Sequence, residues 1–248
     1  MEELLNQGLA ALDLPTANVC SFIRYGELLV EKNKVMNLTA ITEPRDVATL
    51  HFLDCAALAH LYDFKDKTVA DIGTGAGFPG VPLKLVEPSI HLTLLDSLNK
   101  RIDFLKEVCA DLGLKDVACI HGRAEEFAAD HRERFDIVTS RAVANLQLLS
   151  ELCLPLVKEG GAFLSMKSVE SEEEINAAKK AISILGGKIE KCVDYTIPGT
   201  EVSHRLVIIR KVAPTPKKYP RAFAKIKKSP LLSFFNHFSA RNTCRQLY

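Results

Sequence analysis

Asp71-Ile72-Gly73-Thr74-Gly75-Ala76-Gly77-Phe78-Pro79-Gly80 lies between an apolar run from Thr68 and an amphipathic stretch from Val81 to Val86. That order reads as strand, tight turn, helix. Glycine tolerates positive φ and lets a ligand approach the backbone closely, and the N-terminus of the following helix offers unpaired N–H groups to an anion. A dinucleotide fingerprint needs glycine at its first, third and sixth positions, but the sixth position here is Phe78. A Walker A loop is excluded because no Lys-Ser/Thr pair follows. The next apolar run ends at Leu94-Leu95-Asp96, 19 residues after Gly77. A carboxylate there can accept from both hydroxyls of a ribose. Loop and acid together predict a bound nucleoside-bearing molecule.

Outward from the loop, short apolar runs alternate with amphipathic stretches, as in βα units around a parallel sheet. Strands are expected at Thr68–Ile72, His91–Leu95, Val117–His121, Phe135–Thr139 and Ala162–Met166. Helices are expected at Val81–Val86, Asn99–Leu112, Ala124–Ala129 and Leu146–Val157, with Ser171-Glu172-Glu173-Glu174 opening another that runs to Leu185. Two further runs, Lys188–Tyr195 and His204–Lys211, are separated by Pro198-Gly199 with no room for a helix. They should pair antiparallel at the sheet edge. The expected fold class is therefore α/β, with seven strands, mostly parallel, helices on both faces and a terminal hairpin. Before the sheet, Glu2–Leu12, a segment from Pro15-Thr16 to about Asn33, and Glu43-Pro44 through Leu61 read as helices. The organisation expected is an N-terminal helical cap over 1–65, an α/β body over 66–212 and a basic C-terminal tail over 213–248.

The chain has 248 residues, 47% hydrophobic and 25% charged, the balance of a globular protein with a sizeable core. No apolar stretch nears the roughly 20 residues of a membrane span. The acidic start Met1-Glu2-Glu3 does not resemble a secretory signal, so a cytoplasmic location is expected. Cys20, Cys55, Cys109, Cys119, Cys153, Cys192 and Cys244 form an odd set with no CxxC pair and read as reduced core residues. The seven His show no metal-ligand spacing, and no metal is expected. The net charge of +1 hides an asymmetry: from Arg210 to Tyr248 there are ten Lys/Arg and no acid, so +10 sits on a body of −9. Such a tail suits a polyanionic partner, although a solvated basic terminus has the same composition.

Asp-x-Gly-x-Gly-x-Gly after the first strand, an acid ending the second, Phe135-Asp136-Ile137-Val138 in the fourth and a terminal hairpin resemble the class I S-adenosylmethionine-dependent methyltransferases, whose fold is Rossmann-like. The blocks Asn37-Leu38-Thr39-Ala40-Ile41, His51-Phe52-Leu53-Asp54, Asp71 through Leu83, Leu95-Asp96-Ser97-Leu98-Asn99-Lys100-Arg101, Arg123-Ala124-Glu125-Glu126, Thr139 through Ala144 and His204-Arg205 narrow this further. Together they resemble the bacterial small-subunit ribosomal RNA guanine-N7 methyltransferases, the glucose-inhibited division protein B family, over about 1–230. Leu232–Tyr248 departs from the family's short basic terminus.

The resemblance implies S-adenosylmethionine as cofactor, small-subunit (16S) ribosomal RNA as partner, and methylation at N7 of a guanine in its decoding-region loop. It places Gly73, Gly75, Gly77 and Phe78 of the loop, Ala124 and Glu125 after the third strand, and Arg141 after the fourth in the cofactor site, with Asp96 on the ribose and Asp71 shaping the loop. Guanine N7 already carries a lone pair, so no general base is expected and positioning dominates. Asn37 and Arg141 are the positioning candidates, with Thr39 beside Asn37. Lys100, Arg101, Arg123, Lys167, Arg205, Lys217, Lys218 and Arg221 are candidate contacts to RNA phosphates. No membrane contact is expected, and a monomer is favoured. The competing readings are a methyltransferase with another acceptor, a methyltransferase-fold RNA-binding or regulatory module without catalysis, and a dinucleotide-dependent oxidoreductase, against which Phe78 counts.

Overall fold

The computed structural model describes residues 1–141 and 144–231; Ala142, Val143 and the Leu232–Tyr248 extension lie outside them. The chain begins with α1 (Glu2–Ala11), α2 (Val19–Asn33) and α3 (Pro44–Asp46), then a π-helical segment at Val47–Leu53 that runs on into α4 (Asp54–Leu61). The alternating body follows: β1 (Thr68–Ile72), α5 (Gly80–Val86), β2 (His91–Asp96), α6 (Asn99–Asp111), β3 (Val117–His121), α7 (Ala124–Asp130) and β4 (Phe135–Arg141). It continues through α8 (Leu146–Cys153), β5 (Val157–Ser168), α9 (Glu172–Ile184), β6 (Gly187–Thr196), β7 (Ser203–Lys211) and α10 (Phe223–Lys228).

The seven strands form one sheet in the order β3-β2-β1-β4-β5-β7-β6, with β7 antiparallel to both β5 and β6. Strand order reverses between β1 and β4, which pair in parallel from Val69 against Ile137 to Asp71 against Thr139. A crevice therefore opens at the carboxyl ends of β1 and β4, where ligands of open α/β sheets bind. Period-2 side-chain alternation supplies two cores: Val69, Leu92, Leu94 and Ile137 face the N-terminal helices, α5 and α6. Ala70, Ile72, Leu95 and Val138 face α8, α9 and α10.

Three expectations need correction. The helix expected to reach Val157 stops at Cys153, because Pro155 cannot continue it; a 3-10 turn at Leu154–Leu156 follows and β5 starts at Val157, before the bulge that resets its pairing with β4. The stretch from Pro15 to Asn18 precedes α2 rather than opening it. Cys20 and Cys192 are exposed rather than core, although all six described cysteines are free.

The terminal segment packs on the body. Arg132 donates to the carbonyls of Thr215, Pro216 and Tyr219, and Tyr219 and Ile226 are buried in the second core. Among the described residues, no helix is long and apolar enough to cross a membrane.

Candidate active site

The glycine loop is held from below, from above and from the side. From below, the buried Asp71 Oδ2 accepts from Thr74 Oγ1 at 2.6 Å and from the Gly80 amide at 2.9 Å. Burial pushes this carboxyl up to about 6 against the pull of those two donors. From above, α2 lends Tyr25, whose hydroxyl donates to the Ala76 carbonyl. Gly73, Gly75 and Gly77 all have positive φ, at 69°, 62° and 107°. At Gly77 a Cβ would also stand 2.5 Å from the Tyr25 hydroxyl, so both conformation and space demand glycine. From the side, Asp96 Oδ2 accepts from the Gly75 amide at 2.9 Å, while Oδ1 accepts from the Leu98 amide at 2.9 Å.

Around this loop lies a cavity of about 390 Å³ lined by Leu38, Thr39, His51, residues 73–76, Phe78, Asp96, Ser97, Arg101 and Arg141. It shares Gly73, Asp96 and Ser97 with a smaller apolar slot of about 160 Å³ between Ile72, Leu95, Leu152 and Phe223, floored by residues 122–125. His51 and Arg141 line the first cavity and also line a third one of about 590 Å³.

The two residues belong to one network. The His51 ring stacks on Phe78 with centroids 4.5 Å apart, and the Arg141 guanidinium lies over the same ring at 4.7 Å. Arg141 donates to the Leu50 carbonyl at 3.2 Å, to Asp54 Oδ2 at 3.3 Å and to His51 Nδ1 at 3.1 Å. Because Nδ1 accepts from a guanidinium, the imidazole proton sits on Nε2 and is donated to Thr39 Oγ1 at 2.8 Å. Burial and the Arg141 charge push His51 down to about 4. Asp54, 1% exposed, also accepts from Tyr195 at 2.8 Å and from His204 Nδ1 at 2.8 Å, and the latter bond holds His204 above its ordinary range.

A profile of the GidB family, described as rRNA small subunit methyltransferase G, matches residues 18–202. The chain is 51% identical over 223 residues to the Ribosomal RNA small subunit methyltransferase G of Clostridium botulinum (strain Loch Maree / Type A3), covering 89% of this chain and 93% of that one. The protein of the same name from Staphylococcus epidermidis is 48% identical, with 93% and 96% covered. The chain belongs to the rRNA small subunit methyltransferase G family. The fold is that of a solved SAM dependent methyltransferase from Aquifex aeolicus, with TM-score 0.51 and 17% identity over 73% of this chain and 97% of that chain. Family and fold make the protein a class I methyltransferase, the S-adenosylmethionine-dependent kind.

The cleft of this rRNA methyltransferase G family member fits that cofactor. The apolar slot of about 160 Å³ could take an adenine, with residues 122–125 beside it; Asp96 lines both the slot and the larger cavity, where a ribose would lie between them, and the left-handed glycines carry no side chain that would keep an aminocarboxypropyl group from the loop backbone. Two expectations change in detail. Asp96 is not an open carboxylate, since Arg101 Nη1 also donates to its Oδ2 at 3.2 Å. Phe78, 5% exposed, lines the cavity while most of its ring supports His51, Arg141, Tyr25 and Phe52.

The remaining candidates divide. Asn37 is exposed and outside the lining of all three cavities; Leu38 and Thr39 line the first instead, because Asn33 Oδ1 accepts from both of their amides and folds the turn inward. Glu125 accepts from the Phe223 amide at 3.3 Å, tying the terminal segment over the slot. Lys100, Arg123, Lys217 and Lys218 are exposed. Four phosphate candidates are paired within the chain, Arg101 with Asp96 among them. Lys167 pairs with Glu174, Arg205 with Asp194 and Glu172, and Arg221 with the buried Glu151. Tyr25, Asp54, Tyr195, His204 and Phe223 carry roles that sequence patterning did not assign. Of these, Asp54 and His204 stand within the quoted blocks His51-Phe52-Leu53-Asp54 and His204-Arg205, which marked them without giving a role.

Proposed function

We propose that this protein transfers the methyl group of S-adenosylmethionine to N7 of a guanine in the decoding-region loop of small-subunit ribosomal RNA. The carrying observation is the 51% identity over 89% of the chain to an rRNA small subunit methyltransferase G, with the cofactor loop assembled in a cleft.

When bound, S-adenosylmethionine supplies an electrophilic methyl on a sulfonium. The chain's residues bind, orient and exclude water. Asp96 would hold the ribose in place of Arg101, Phe223 and Leu152 would enclose the adenine, and the loop amides would meet the carboxylate end. His51 and Arg141 stand where the cofactor cavity meets the third cavity. The His51 imidazole does not serve as a base there: its Nδ1 accepts from Arg141 and its Nε2 proton is given to Thr39. That arrangement supports an acceptor that needs no deprotonation, and guanine N7 is one. Rate then comes from near-attack alignment of N7 with the methyl carbon.

The test is transfer of labelled methyl from S-adenosylmethionine to small ribosomal subunits, and to their protein-free RNA, from cells lacking this enzyme. Chemical strand scission then maps 7-methylguanosine. One modified guanine in the decoding-region loop is expected. Label on an exocyclic nitrogen or a ribose oxygen, or none on RNA, overturns the proposal.

A further inference from the structure

The third cavity shares His51 and Arg141 with the cofactor cavity. Ile41, Leu50, Met166 and Val202 give it apolar surface, Asp54 and His204 line it beside His51 and Arg141, and Lys167 and Glu174 add an ion pair. Lys167, at the end of β5, donates to the Ala144 carbonyl at 2.8 Å and to Glu174 Oε1 at 2.6 Å. Glu174 Oε1 also accepts from the Leu146 amide, the first of α8. Its Oε2 makes no hydrogen bond among the described residues, and the side chain is 31% exposed beside a lysine that is 10% exposed. An anionic acceptor and an adjacent fixed donor therefore face a cavity whose lining is part apolar and part charged.

We infer that Glu174 and Lys167 read the Watson–Crick edge of the target base, Glu174 Oε2 accepting from N1–H and N2–H₂ and the remaining Lys167 N–H donating to O6. This rests on the guanine reading above and assigns its recognition site. Guanine presents two adjacent donors beside a carbonyl on that edge, which complements a carboxylate beside an ammonium. Adenine presents a lone pair at N1 and meets repulsion from the same carboxylate. O6 lies between N1 and N7, so a base held by Glu174 turns its N7 edge away from that pair and toward His51 and Arg141. The two contacts respond oppositely during reaction: methylation at N7 makes N1–H more acidic and strengthens the bond to Glu174, while it weakens the bond from Lys167 to O6.

Glu174→Gln keeps an oxygen for Leu146 and Lys167 and puts an amide donor where Oε2 stood. Steady-state methylation of RNA carrying guanosine or inosine at the target position, with cofactor affinity measured alongside, tests the assignment. Glu174→Gln should lower kcat/KM on guanosine roughly 10- to 100-fold, mostly in kcat, with cofactor affinity unchanged. The wild type should lose a comparable factor on inosine, which lacks the N2 amine, and the variant should lose little more. Glu174→Asp, which keeps the charge, should retain more activity than Glu174→Gln and serves if the amide variant does not fold. Wild-type kcat/KM in Glu174→Gln, an equal inosine penalty in both proteins, or Asp falling below Gln overturns the assignment. The two proposals fail separately. If the wild type forms no 7-methylguanosine, the guanine reading falls; if it does and Glu174→Gln is unaffected, Glu174 alone is removed.

Discussion

His51 carries a pH signature that follows from its two neighbours. Its folded pKa lies near 4, below the ordinary value of about 6.5 for an exposed imidazole. A depressed folded pKa means that its contribution to stability is complete above 6.5 and is lost as pH falls toward 4. Relative to His51→Gln, the wild type should therefore lose about 2–3 kcal/mol of unfolding free energy between pH 7.5 and pH 4.5. Urea denaturation of both proteins at the two pH values measures it, and a pH-independent difference would contradict the neutral, Arg141-bonded imidazole. At this scale Asp96 was legible in the sequence because its position at the end of the second strand is itself the signal. The Asp54 cluster was not, because its partners Arg141, Tyr195 and His204 stand 87, 141 and 150 residues away and no local pattern links them.

The elements were legible where periodicity and breakers agree, as at β1 through β4, and illegible where one breaker hides inside another element. Pro155 ends α8 and Gly160-Gly161 interrupts the run after it, which concealed the first half of β5. The terminal segment shows the same limit for charge. Sequence registers a basic residue at 221 but not its partner: Arg221 donates through Nε at 2.7 Å and Nη2 at 2.6 Å to Glu151, a carboxylate 1% exposed in α8. Removing the guanidinium leaves a buried carboxylate without its counter-charge. Arg221→Ala should cost about 3 kcal/mol of stability, and Glu151→Leu combined with Arg221→Leu should recover most of it. Chemical denaturation of the single and double variants decides this; a loss within about 0.5 kcal/mol, the ordinary range for a surface substitution, would show that the pair anchors nothing.

Across the whole molecule, the N-terminal helices and the terminal segment close opposite ends of one cleft along the carboxyl edge of the sheet. Tyr25 and the Leu38-Thr39 turn bound the loop end, and Phe223 bounds the slot. The exposed lysines of the terminal segment are the part of the basic asymmetry not tied into ion pairs among the described residues. Lys217 and Lys218 are exposed on the terminal segment, as are Lys225, Lys227 and Lys228 around α10. Lys217→Ala with Lys218→Ala should flatten the dependence of RNA affinity on salt, by roughly 0.7 in log–log slope for each phosphate that is no longer neutralised, and leave cofactor affinity intact. Filter binding across a salt series reads both the slope and the affinity; an unaltered slope would remove these lysines from the RNA path.

A crystal structure of the protein with S-adenosylhomocysteine and guanosine 5′-monophosphate tests the continuous cleft most directly. The adenine should lie between Leu95, Leu152 and Phe223, the ribose hydroxyls on Asp96 with Arg101 displaced, and the guanine in the third cavity with N7 toward His51 and Arg141. A nucleoside bound away from Asp96, or a guanine seated with N7 turned from His51 and Arg141, would contradict it.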